Sequence, residues 1–144
     1  MNRSSLFFLF LFVAMAGGLV SCVKKQNTGS TNSELDGKWK LAQTATDDNG
    51  NKQIDGSEIH SVPSGQDYEL TFNANFTGVE NDIYDGVVST PLSFSWALIN
   101  NDYLYSAFAS HDTITYYIVS MSSNNLVLQA NTQTGLTAYY YNKK

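Results

Sequence analysis

The chain has 144 residues, 42% of them hydrophobic and 15% charged, and its 13 acids against 8 bases give a net charge of −5. That length suits one domain, the modest charge argues against a disordered acidic tail, and the acidic balance argues against a nucleic-acid binder, which needs a basic patch. Cys22 is the single cysteine, which excludes disulfide scaffolds, thiolate zinc sites and iron–sulfur ligation.

The N-terminal segment carries one cation, Arg3, followed by the apolar run LFFLFLFVAMAGGLV over residues 6–20. A membrane-spanning helix needs about 20 apolar residues, so this layout fits a secretory signal peptide better than a permanent span. The run ends in Leu19-Val20-Ser21-Cys22, which resembles the lipobox of bacterial lipoproteins. The same residues also admit an ordinary signal peptide with a chance cysteine. The resemblance implies cleavage before Cys22, a diacylglycerol on its thiol and an acyl chain on its new amino group. Several acyl chains hold a protein firmly on a membrane where one is marginal. The implied location is the outer membrane, lipid-anchored, on the periplasmic side or at the cell surface. Residues 1–21 then form the signal peptide and 22–33 the lipidated cysteine and its tether. The tether (VKKQNTGSTNS after the cysteine) is polar and free of aromatics, the composition of a flexible linker. Its Lys24 and Lys25 are either solvated or near anionic head groups.

Residues 34–144 hold no long apolar pattern of helical period. Short runs rich in Tyr, Phe, Val, Ile and Thr alternate instead with Asn, Asp, Gly and Ser, which predicts antiparallel strands. The first spans 38–46, with Trp39 and Leu41 on one face. Residues 68–72 (YELTF) alternate cleanly, Asn73-Ala74-Asn75 turns, and 76–82 return, with Gly78 marking a bulge. Leu92, Phe94, Trp96 and Leu98 share a face of the next strand. Further strands are predicted over 103–109, 113–121, 126–130 and 136–141, joined by tight turns. In the 113–121 strand, Ile114, Tyr116 and Ile118 oppose Thr115, Tyr117, Val119 and Met121. Sequential neighbours joined by tight turns pair, giving an up-and-down meander. About eight such strands close into a small antiparallel all-β barrel, which removes exposed edges; an open two-sheet sandwich is the other architecture. The chain's 9 tyrosines pair an apolar body with a polar tip, as a wet cavity or a half-exposed sheet face requires.

Gly37-Lys38-Trp39, opening the first strand after the tether, resembles the G-x-W signature of lipocalins. The segment from Leu35 to Leu41, the YELTF strand with its Asn73 turn, Phe94-Ser95-Trp96, and Tyr117 to Val119 leading to Leu126 to Leu128 extend the likeness over residues 34–142. The resemblance implies a barrel whose narrow end is closed by Trp39, with Gly37 permitting close approach of the chain there. It also implies a small apolar or amphipathic ligand, unless the barrel is filled by its own side chains.

The strongest chemical motif is the loop over residues 47–58, DDNGNKQIDGSE. Set against the 12-residue calcium loop of EF-hands, Asp47, Asn49, Asn51, Asp55 and Glu58 occupy ligand positions 1, 3, 5, 9 and 12, and Gln53 at position 7 supplies a backbone carbonyl. Calcium wants six to eight oxygens, and this spacing can supply them. Lys52 replaces the usual Gly, so it must adopt a positive φ at a cost of order 1 kcal/mol. No helical pattern flanks the loop, and a polar turn is the plain alternative.

Other groups are sparse. His60 and His111 read as surface or turn residues rather than bases, and Asp82 and Asp85 as a solvated loop, with paired carboxylates the alternative. No phosphate-cradling loop and no nucleophile elbow occurs, so the chain reads as a non-enzyme. Two functions compete. One is a lipid-anchored carrier of a small apolar or amphipathic ligand. The other is a protein-interaction or inhibitor module with a solid barrel and a calcium-stabilised loop. A cavity of roughly 300 Å³ or more decides between them.

Overall fold

The computed structural model describes residues 32–110 and 112–144. The apolar run, Cys22, the tether up to residue 31 and His111 lie outside the described residues. A short helix, α1 (Asn32–Leu35), precedes ten strands: β1 (Gly37–Thr46), β2 (Ile59–Ser61), β3 (Gln66–Phe72), β4 (Thr77–Tyr84), β5 (Val87–Val88), β6 (Leu92–Ile99), β7 (Tyr103–Phe108), β8 (Thr113–Met121), β9 (Asn125–Thr132) and β10 (Gly135–Lys143). Eight of them run antiparallel in the order β1-β3-β4-β6-β7-β8-β9-β10, and β10 pairs back onto β1. The result is the closed eight-stranded barrel expected from the meander, not the open sandwich. Two short strands ride on it. Next to β1, β3 covers residues 37–40 and β2 covers 43–45, while β5 folds back on the end of β4.

The inward face follows the period of two, with three corrections. Thr77 starts β4, and Phe76 belongs to the preceding turn at φ 62, where its N–H donates to the Asn73 carbonyl at 3.0 Å. Gly78 marks no bulge, because β4 keeps unbroken register with β3 and β6. Glycine is needed there because a Cβ would lie 2.2 Å from Cζ of Phe94 and 2.7 Å from the Thr71 carbonyl. The bulges fall instead between Leu41 and Gln43 and between Ile118 and Ser120. The second one inserts a residue, so Met121 returns to the side of Ile118 and packs against the core; strict alternation had placed it opposite.

The core occupies one end of the barrel. Phe72 meets Phe94 and Trp96 edge-on, with ring centroids 5.5 and 5.6 Å apart, the arrangement the ring quadrupole favours. Leu104, Leu126 and Leu128 complete the packing with Trp39, all fully enclosed. Burial of a side chain of this size stabilises by about 1.5–3 kcal/mol. Among the described residues, every member of the core cluster falls between Leu35 and Tyr141, so the barrel packs its core from its own strands and α1.

Candidate functional site

At the end away from Trp39 the barrel holds a cavity of about 600 Å³, within the range of about 300–1,000 Å³ typical of small-molecule sites. Strand β4 shows how one strand serves both ends. Its inward positions are Gly78, Glu80, Asp82 and Tyr84. Gly78 takes the Phe94 ring in the packed half, and Glu80 and Asp82 line the cavity. Glu80 sits between Leu70 and Leu92 in register, and Asp82 beside Tyr68. Across the cavity stand Tyr116 of β8 and Tyr139 and Tyr141 of β10, while Leu92, Phe108 and Ile114 supply apolar wall nearer the mouth. Asp82 is therefore a wall residue, not the solvated loop residue its neighbourhood with Asp85 predicted; the pleat turns it inward.

The electrostatics of this wall are lopsided. Burial, with Asp82 nearby, pushes the Glu80 carboxyl above its ordinary value. The Asp82 Oδ1 atom is enclosed and has no hydrogen-bond partner among the described residues. Tyr68 and Tyr84 share a hydrogen bond of 3.1 Å between their hydroxyls, and that bond, then burial, pushes Tyr68 up to about 12. Burial also raises Tyr116, Tyr139 and Tyr141, with Glu80 adding to each. The described wall contains no Lys or Arg. Among the described lysines, Lys38 and Lys144 hold the lining residue Glu69, Lys40 holds Asp67 at 2.7 Å, and Lys143 donates to the Glu34 carbonyl at 3.1 Å.

The closed end is built around the G-x-W residues. Trp39 is 0% exposed, and its indole N–H donates to the Leu35 carbonyl at 2.7 Å. Gly37 takes φ 118, and a Cβ there would lie 3.0 Å from the Lys143 stem.

The 47–58 loop closes on itself. Asp47 accepts backbone N–H bonds from Gly50, Asn51 and Lys52 at 2.7, 3.1 and 2.7 Å. Glu58 accepts from the backbone of Asp48 at 3.0 Å and of Asp55 at 2.8 Å. The side-chain amides of Asn49 and Asn51 both donate to Oδ2 of Asp55, at 2.9 and 3.0 Å, and the Gln53 N–H donates to Oδ1 of Asn51 at 2.8 Å. Lys52 adopts φ 63. The carboxylates thus meet amide donors, and among the described residues no three His, Cys, Asp or Glu side chains are grouped to hold a metal ion. Cys22 lies outside the described residues.

Sequence reasoning missed Glu80 as a cavity residue. The usable signal was parity: Gly78, Glu80 and Asp82 alternate within one strand, so whatever places one inside places all three.

The profile of the Lipocalin-like domain family matches residues 35–128. Among solved structures, a lipocalin-like protein from Bacteroides uniformis ATCC 8492 is similar at 16% identity and a TM-score of 0.56, covering 77% of this chain and 99% of its own. An uncharacterized protein from Bacteroides eggerthii DSM 20697 is similar at 12% identity and a TM-score of 0.55, covering 76% and 99%. At these identities the likeness concerns the fold alone. No curated protein sequence matches the chain.

Proposed function

The chain belongs to the lipocalin-like domain family, and from that premise we propose that it is a lipid-anchored extracytoplasmic carrier of a small amphipathic ligand rather than an enzyme. The observation that carries this reading is the cavity of about 600 Å³, twice the size of roughly 300 Å³ that separates a carrier from a filled barrel. A protein-interaction module built on a solid barrel lacks that support. The test is fluorescence of 1-N-phenylnaphthylamine added to residues 29–144, which include the whole barrel and its core. Saturable enhancement is expected, together with its loss in Ile114→Trp, which fills the cavity near the mouth without touching the packed end. Unsaturable fluorescence in the unaltered protein would refute the carrier reading.

Anchoring rests on Leu19-Val20-Ser21-Cys22 at the end of the apolar run. Acylation of Cys22 holds the barrel at the outer membrane, on the periplasmic side or at the cell surface, with residues 22–33 as the tether.

For the 47–58 loop we propose a weak calcium site formed by Asp47, Asn49, Asn51, Asp55 and Glu58, with the Gln53 carbonyl. The support is carboxylates at three of the ligand positions, Asp47, Asp55 and Glu58, and the left-handed backbone at Lys52. Binding must exchange amide hydrogen bonds for coordination, which places affinity at the weak end of calcium sites.

A further inference from the structure

Resting on the carrier reading, we infer that the cavity takes an organic cation, a protonated amine on an apolar body, with its ammonium between Glu80 and Asp82 and its body against Leu92, Phe108 and Ile114.

Four observations carry this. Glu80 and Asp82 are two residues apart on one face of β4, which separates their Cα atoms by about 7 Å. One ammonium can donate to both carboxylates across that gap. No Lys or Arg lines the described wall, and among the described residues no hydrogen bond or ion pair compensates the enclosed Oδ1 of Asp82. An enclosed polar atom left without a partner is costly, and a ligand ammonium supplies the missing donor. The opposite wall is aromatic, formed by Tyr116, Tyr139 and Tyr141, and none of these rings carries a positive charge to compete with the ligand. Finally, Leu92, Phe108 and Ile114 add apolar wall to the same cavity, with Leu92 beside Glu80 in register, so an amine with a short alkyl body has its charged and apolar parts matched at once. A carboxylate ligand would meet the two acids at close range and be repelled.

The experiment compares octylammonium, octanol and octanoate, which share one tail and differ in head charge, by titration calorimetry at pH 8 on residues 29–144. Octylammonium should bind about tenfold or more tightly than octanol, and octanoate most weakly. Glu80→Gln and Asp82→Asn should each weaken octylammonium and leave octanol unchanged, and the double variant should abolish the preference. The variants should fold, because each removes a carboxylate that the wall leaves unneutralised; a retained melting transition and retained octanol binding verify that. Octanol or octanoate binding as tightly as octylammonium would overturn the cation assignment while leaving the carrier reading standing. Octylammonium preference that survives the double variant would also overturn it. Failure of all three probes would remove the carrier reading, and this inference with it.

Discussion

Lys143, near the end of the last strand, holds its ammonium 4.9 Å from the ring centre of Trp39 in the first strand. The two residues are also partners in the β1–β10 register. Barrel closure and the sealing of its packed end are thus one contact, made across the seam where the sheet would otherwise have two open edges. The stem of Lys143 lies over Gly37 as well, so a side chain at position 37 would displace the cover from Trp39.

Trp39→Ala should destabilise the barrel by about 3–5 kcal/mol, the range for removing a large buried aromatic. Lys143→Ala removes only a partly exposed cation over the ring, worth about 0.5–1 kcal/mol. Urea denaturation of both variants measures the contrast. Equal losses would mean that the tryptophan does not close the end.

Gly78→Ala should cost about 1–3 kcal/mol, the usual penalty for overpacking, because the added methyl overlaps the Phe94 ring. Combining it with Phe94→Leu should recover part of the loss. A neutral Gly78→Ala in thermal melting would contradict the close approach of the two strands.

Acid should reveal two carboxyls of opposite sign. Lys144, opposed by burial and helped by Lys38, holds Glu69 below its ordinary value. A depressed carboxyl stabilises the fold above its unfolded pKa, and that stability is lost as pH falls through the folded value. Glu80 is raised, so its ionisation weakens the fold as pH rises through the unfolded and then the folded value. Melting followed from pH 3 to pH 8 should therefore show Glu69→Gln less stable than the parent at neutral pH, with the gap closing in acid. Glu80→Gln should be more stable at neutral pH, again converging in acid. The same sign for both variants would contradict the assigned environments.

Calcium should raise the melting temperature of residues 29–144 at millimolar concentration. At a free concentration of 100 times the dissociation constant the gain would be about 2.7 kcal/mol, and extracellular-type sites near 10⁻⁴–10⁻³ M reach only part of it. Glu58→Gln should remove most of the effect, while Lys52→Gly should strengthen it by relieving the positive φ and removing a charge. Calorimetry without heat, and melting unchanged by chelator, would leave the loop as the hydrogen-bonded turn that Asp47 and Glu58 already organise.

Cys22→Ala in the full chain should leave the precursor unacylated and move any processed protein from the detergent phase to the aqueous phase on partitioning. Identical partitioning of the two forms would remove the anchor.

What the sequence determined by itself is local or periodic. Alternation in residues 92–98 and the tight turns after 99, 109, 121 and 132 specify neighbouring strands and hence the meander, because each depends on residues close in the chain. The signature Gly37-Lys38-Trp39 located the start of the barrel for the same reason. Tertiary structure decided what distant residues do to one another. Whether Gly78 bends a strand or admits a ring depends on Phe94, sixteen positions on, and the side taken by Met121 depends on a bulge whose register is set by β9. The cavity is the extreme case. Glu80, Asp82, Tyr116 and Tyr139 come from three strands, and only closure of β10 on β1 turns their inward faces toward one volume. In the sequence Asp82 stands beside a Gly-containing turn and looks solvated. In the barrel the pleat turns it inward beside Tyr68 and encloses its Oδ1 without a partner among the described residues, and that makes it a candidate to hold a cation.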